Sequence, residues 1–246
     1  MLTIENLYFS YTGSAPWLLE NVDFHLAGGE YISIVGNNGS GKSTLMKMLA
    51  GQTEEMIVEG DSKIGPSVDI GYFSPYTTLP DENQPLRQIL SRTDPNAMGT
   101  LAFWGFDKTN DYDMKPGDIT EKDAQARAQL ALLMAQQPNT LLLDEPTSYL
   151  TPSYQEKLVE TLKDYDGTLL VISHDPRFLV QLGLTGRVVM PGAVRQDAVR
   201  HLFVLQKPVV GIFPLPVGLR VGQEIPLKGG HLVFAEQRGI LVEPDI

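Results

Sequence analysis

Gly36-Asn37-Asn38-Gly39-Ser40-Gly41-Lys42-Ser43, followed by Thr44, fits the spacing G-x-x-x-x-G-K-[ST]. It comes directly after the apolar run Tyr31–Val35, which reads as a buried strand. It opens a helical pattern that carries Leu45 and Leu49 and stops at Gly51, a residue suited to the left-handed position after a helix. Strand, glycine-rich turn and helix in that order form a phosphate-binding loop. The glycines let successive main-chain N–H groups turn inward, and the helix N-terminus adds positive potential. Lys42 is expected to reach the β- and γ-phosphates of a nucleotide, and the Ser43 hydroxyl to join a Mg²⁺ shell. Gly36, Asn37, Asn38, Gly39, Ser40, Gly41, Lys42, Ser43 and Thr44 are the candidate nucleotide-binding residues.

Further along, Leu141-Leu142-Leu143-Asp144-Glu145-Pro146-Thr147 drives three apolar residues into a core. That places Asp144 at the carboxyl end of a strand, where open α/β sheets bind their ligands. Asp144 is expected to hold Mg²⁺, directly or through water, and Glu145 to orient or deprotonate an attacking water. A third apolar strand, Leu169–Ser173, runs into His174-Asp175. A lone histidine after a strand is more often structural. Here its place in the order of motifs points to contact with the γ-phosphate.

The chain has 246 residues, 42% of them hydrophobic and 20% charged, which suits a soluble fold with a real core. Its formal net charge of −11 argues against a broad electrostatic grip on nucleic acid, and no direct DNA binding is expected. No apolar run approaches the roughly 20 residues of a membrane span, and the N-terminus lacks the pattern of a secretion signal. The absence of cysteine excludes disulfides and thiolate metal sites and fits a cytoplasmic setting. Residues 1–190 alternate strands and helices around a mostly parallel sheet, with a small antiparallel β subdomain and a short helical insertion at about 76–137. Within the insertion, Leu86–Leu90 reads as a helix. A longer helix is expected from about Glu121 to Gln137, with Thr120 and Asp123 as a capping box. Thr151 and Pro152 begin another. From Pro191 onward prolines and glycines punctuate short β-like runs, so residues 191–246 read as a small β-rich appendage or a poorly ordered tail.

These motifs, in this order, resemble the ATP-binding-cassette (ABC) ATPase family over roughly residues 1–190. The resemblance implies ATP and Mg²⁺ as ligands, Glu145 as catalytic carboxylate and His174 as a switch histidine. It also implies that Tyr11 stacks on adenine. Members of the family work as dimers, with ATP held between the phosphate loop of one subunit and a signature segment of the other.

Three positions depart from the family pattern. Ile70-Gly71-Tyr72-Phe73-Ser74 resembles the strand before the family's Q-loop, but Pro75 replaces the glutamine. Ser148-Tyr149-Leu150-Thr151 resembles the D-loop, with Thr151 for the usual aspartate. The signature Leu-Ser-Gly-Gly-Gln becomes Thr120-Glu121-Lys122-Asp123-Ala124. Carboxylates there would face a partner's γ-phosphate, and two unit charges about 5 Å apart at an effective dielectric of about 20 repel by roughly 3 kcal/mol. A partner cassette with an intact signature is therefore favoured over a second copy of the same chain. Two contexts compete for that assembly: the ATP-driven subunit of a transporter, docked on a membrane permease at the inner face, and a cassette of the F subfamily of ABC proteins, which act on ribosomes. Asp164–Asp175 and Gln136–Thr140 resemble the F subfamily. A regulatory module that binds ATP with little turnover is a third reading.

Overall fold

A computed structural model describes residues 2–10, 17–52, 57–76, 79, 83–107, 109–190, 203–205, 224–227, 230–235 and 239–243. The chain divides into two units, Met1–Pro208 and Val209–Ile246.

In the first unit, β1 (Leu2–Ser10) and β2 (Leu19–Leu26) form an antiparallel pair, with Leu2 opposite Leu26 and Ile4 opposite Phe24. The chain then enters β3 (Tyr31–Gly36) and α1 (Lys42–Leu49). Next, β4 (Ile57–Ile64) returns to pair antiparallel with β1, which completes a three-stranded sheet in the order β2-β1-β4. β5 (Ile70–Phe73) leads into the insertion, which holds α2 (Leu86–Leu90), α3 (Ala97–Phe103), α4 (Thr109–Tyr112) and a 3-10 turn at Pro116–Asp118. The long helix α5 (Lys122–Ala135) then runs into β6 (Thr140–Asp144). After it come α6 (Pro152–Lys163), β7 (Thr168–Ile172), α7 (Pro176–Gln181), β8 (Gly186–Met190) and β9 (Phe203–Leu205).

The main sheet has the order β5-β6-β7-β3-β8-β9, parallel except for β9, which runs antiparallel to β8. Strand alternation sends its side chains to two cores. Leu141, Leu143, Leu169 and Val171 pack with the insertion residues Leu86, Leu90, Leu101 and Trp104. Leu142, Leu170 and Ile172 pack with Ile32, Ile34, Leu45 and the apolar face of the three-stranded sheet. Burial on both faces is why these strands are continuous apolar runs. β6, β7 and β3 are neighbours, so their carboxyl ends lie at one edge. The second unit contains a three-stranded antiparallel sheet of β10 (Glu224–Leu227), β11 (Gly230–Ala235) and β12 (Gly239–Glu243).

Among the described residues no helix is long and apolar enough to cross a membrane. Several local readings meet their elements closely. Leu86–Leu90 is α2, Gly51 takes φ +72° after α1, and Thr151 and Pro152 are N-cap and first residue of α6. The insertion is more helical than its irregular composition indicates. Its core is Trp104, 1% exposed, which lies edge-to-face with Phe103. The capping box at α5 does not form. Glu121 is the N-cap and makes no side-chain cap bond, while Asp123 turns away to Arg127 and to the Thr151 amide. Those two partners offer a carboxylate a cation and an amide at once, which a free helix end does not.

Truncating Trp104 to Ala removes the largest side chain of the insertion core. It should lower stability by about 3–5 kcal/mol, read as a lower midpoint in urea denaturation.

Candidate nucleotide site

The loop between β3 and α1 is shaped by glycine where nothing else fits. Gly41, the N-cap of α1, has φ +93°, and a Cβ there would sit 2.8 Å from Leu19 Cδ2. A Cβ on Gly36 would meet the Met190 carbonyl at 2.7 Å and Ser40 Oγ at 2.9 Å. Lys42, although only 8% exposed, places its ammonium inside the curl, donating to the carbonyls of Gly36 (2.9 Å) and Asn37 (3.0 Å). Burial lowers its pKa, and the charges of Glu145 and Asp144 oppose that shift.

Asp144 ends β6 opposite Ile172 of β7 and is 3% exposed. Burial raises its pKa, against a hydrogen bond from Ser43 and the charges of Lys47, Lys42 and His174. Glu145 follows with φ +48°, a left-handed conformation that costs a non-glycine residue about 1–3 kcal/mol. Its own N–H donates to the Ile172 carbonyl at 2.9 Å, which ties the turn to β7. Its Oε2 accepts from the His174 N–H at 3.2 Å and the Ser148 hydroxyl at 3.4 Å. Oε1 lies 3.4 Å from His174 Nε2 but has no hydrogen-bond partner, although it is buried. Burial raises the Glu145 pKa, countered first by the His174 amide and ring. His174 itself is exposed, just beyond the end of β7.

Lys42, Ser43, Thr44, Asn38, Gly39, Gly41, Asp144, Glu145 and His174 share one cavity of about 410 Å³, walled by Leu18 and Ile172. Asn37 joins it through the carbonyl that Lys42 uses. Ser40 Oγ is buried beside the loop without a partner. Tyr11, the expected adenine partner, lies outside the described residues. Leu18 and Lys47 escaped the motifs, while Ser148 and Ile172 were named only as parts of a D-loop and a strand. Lys47 could have been found from helical spacing, since it sits four positions after Ser43 on the same face of α1.

The donor set fits a nucleotide carrying Mg²⁺. The Lys42 ammonium at the N-terminus of α1 suits phosphate oxygens, and the buried, unpartnered Glu145 oxygen on the cavity is a polar group a ligand would satisfy. Among the described residues no cluster of three or more His, Cys, Asp or Glu could hold a metal unaided. Ser43 and Asp144 supply only two oxygen positions, so the cation must bring its other ligands with it, as Mg²⁺ does when bound to phosphates.

Residues 19–148 match the family model described as ABC transporter. The probable ATP-binding protein YheS of Haemophilus influenzae is 37% identical over 68% of this chain, which spans 26% of that protein's length. The ribosome protection protein VmlR of Bacillus subtilis is 34% identical over 66% of the chain, again with only 29% of the relative covered. The energy-coupling factor transporter ATP-binding protein EcfA1 of Streptococcus thermophilus is 28% identical across 100% of this chain and 96% of its own length. A solved ATP-binding-cassette dimer, in a post-hydrolysis state bound to ADP and Pi, shares the fold at TM-score 0.62 and 20% identity. That likeness covers 77% of this chain and 94% of the other. On the family match and the fold together, the chain belongs to the ABC transporter family and carries its ATPase domain.

Proposed function

We propose that this chain binds Mg-ATP and hydrolyses it, and that the cycle drives a conformational change in a partner. The observation that carries this reading is the convergence of Lys42, Ser43, Asp144, Glu145 and His174 on one cavity at the carboxyl edge of three adjacent parallel strands. The loop amides and the Lys42 ammonium grip the phosphates. Ser43 and Asp144 hold Mg²⁺, which neutralises charge on the phosphate oxygens. Glu145 accepts a proton from the attacking water, and its raised pKa brings it nearer to a base suited to neutral pH. His174 orients that carboxylate through its main-chain N–H and lines the same cavity, from which it would sense the terminal phosphate. Tyr11 is kept as the adenine partner by family resemblance alone.

The partner is proposed on two levels. The nearer one is a second ABC domain, of a different sequence, that supplies an intact signature. The farther one is most simply a membrane permease, since the chain aligns end to end with a transporter ATP-binding protein. Placement at the inner face of the membrane would follow. A second reading, a cassette acting on ribosomes, is favoured by the 34% identity to the ribosome protection protein VmlR, over 29% of that longer protein. Co-purification from cell extract with ATP present separates the two: a permease supports the first and ribosomal subunits the second.

Replacing Lys42 by Ala removes a charge-assisted contact worth about 1.5–3 kcal/mol. Calorimetry should show Mg-ATP affinity falling by roughly 10- to 100-fold, and unchanged affinity would remove the phosphate-loop assignment. Glu145→Gln should lower kcat by about 10²- to 10⁴-fold with little change in ATP affinity. Equal turnover would instead point to a regulatory module that only binds ATP. In the parent protein, kcat/KM should fall on acidification at a higher pH than an unshifted glutamate would give, because burial raises the pKa of Glu145 in the nucleotide-free form.

The same shift has a stability consequence of opposite sense. A carboxylate whose folded pKa is raised costs stability once pH exceeds its unfolded value, and the cost is complete above the folded value. Glu145→Gln should therefore raise the melting temperature of the nucleotide-free protein at pH 8, and the gain should vanish near pH 4.

A further inference from the structure

The two residues that stand in the glycine positions of the signature, Lys122 and Asp123, both reach toward the segment that stands where the family has its D-loop. Asp123 Oδ1 accepts the Thr151 N–H at 2.9 Å, and Oδ2 accepts from Arg127 Nε at 2.7 Å. The Lys122 ammonium lies over the Tyr149 ring, 5.3 Å from its centroid. Glycines could make neither contact.

Asp123 is not free to swing toward a partner. Its side chain is 23% exposed and that of Arg127 12%, and Arg127 is itself pinned. Arg127 donates to the Trp104 carbonyl at 2.7 Å and sits between the rings of Phe106 (5.0 Å) and Tyr154 (4.6 Å). A charge-assisted pair this enclosed holds its geometry far better than an exposed one. What it holds is the main chain running from Glu145 to α6. That stretch is laced further by the Gln155 amide, which donates to the carbonyls of Thr147 (3.1 Å) and Leu150 (2.9 Å). At its head, the Ser148 amide donates to the Glu145 carbonyl at 3.2 Å and the Ser148 hydroxyl to the Glu145 carboxylate.

We infer that Asp123, aided by Lys122, is a positioning residue for hydrolysis: by clasping Thr151 and Tyr149 within the same chain, it fixes the segment that aims Glu145. This rests on the hydrolysis reading above. It also reassigns the first turn of α5. In place of a surface that faces another subunit's phosphate, the turn is an internal strap. The carboxylate absent at position 151 has in effect moved to position 123, where it serves the same segment from the other side.

Thr151 offers a test that leaves Asp123 untouched. Its φ of −65° is the angle proline imposes, so Thr151→Pro deletes the donated N–H with little backbone change. Asp123→Ala and Thr151→Pro should each lower kcat by about tenfold while leaving calorimetric ATP affinity within about twofold, as expected for loss of orientation alone. The double variant should be no slower than either single one, because both remove the same bond. Asp123→Asn keeps the acceptor and should recover most of the turnover, although it melts lower than the parent through loss of the Arg127 pair. Amide exchange across residues 148–151 should rise in Asp123→Ala and stay near parental in Asp123→Asn. Multiplying losses in the double variant, parental turnover in Asp123→Ala, or equal losses in the Ala and Asn variants would overturn the inference. So would a fall in ATP affinity that accounts for the lost rate. Parental protein that, co-purified with its partner ABC domain, binds ATP yet releases no phosphate would instead sink the hydrolysis reading, and the inference with it.

Discussion

The main-chain hydrogen bonds that hold β6, β7 and β3 side by side are the constraint on which everything else depends. Their register puts Asp144 opposite Ile172, and it puts Ile172 opposite Ile34, two residues before the phosphate loop begins. Side chains separated by more than a hundred positions in the chain are thereby brought to a common edge. The apolar residues of these strands are buried on both faces, so a slip in register would expose one core or the other. The geometry of the site is thus secured by strand packing most of which lies outside the cavity.

Against this rigid edge the site carries deliberate cost. Asp144 and Glu145 are charged groups in a poorly solvated place, and Glu145 adopts a backbone conformation that few non-glycine residues take. Both expenses are tolerable because neighbours compensate in part: Ser43 and two lysines for Asp144, the His174 amide and Ser148 for Glu145. A bound cation would relieve more of the charge.

Much of the fold was legible in the sequence, because the decisive elements are written as continuous residues. The phosphate loop needs glycines at fixed offsets, and the buried strands need unbroken apolar runs. Asp144, Glu145 and His174 follow from their places at strand ends. What the sequence hid are features created by contact across long separations. The left-handed turn at Glu145 has no glycine or asparagine to announce it. Asp123 looks like a helix-capping acid beside a lost signature, and only the approach of Thr151 and Arg127 in space shows where its carboxylate goes. The insertion, rich in Pro, Asn and Asp, hides the short helix α3, whose residues are held by Trp104 and Leu101 more than by propensity. Tyr11 belongs to a different class: its assignment came from resemblance and falls outside the described residues.

The Lys42 ammonium also says something about selectivity. At rest two of its three N–H donors go to carbonyls of its own loop, so an arriving anion gains one donor at once and the full cation only by displacing those bonds. A small, singly anchored ion such as sulfate offers little beyond what the carbonyls already give. A tethered chain of phosphates, spread along several amides at once, repays the displacement many times over. On the proposed nucleotide reading, the resting lysine would act as a doorkeeper, biasing the loop toward polyphosphate and away from simple anions.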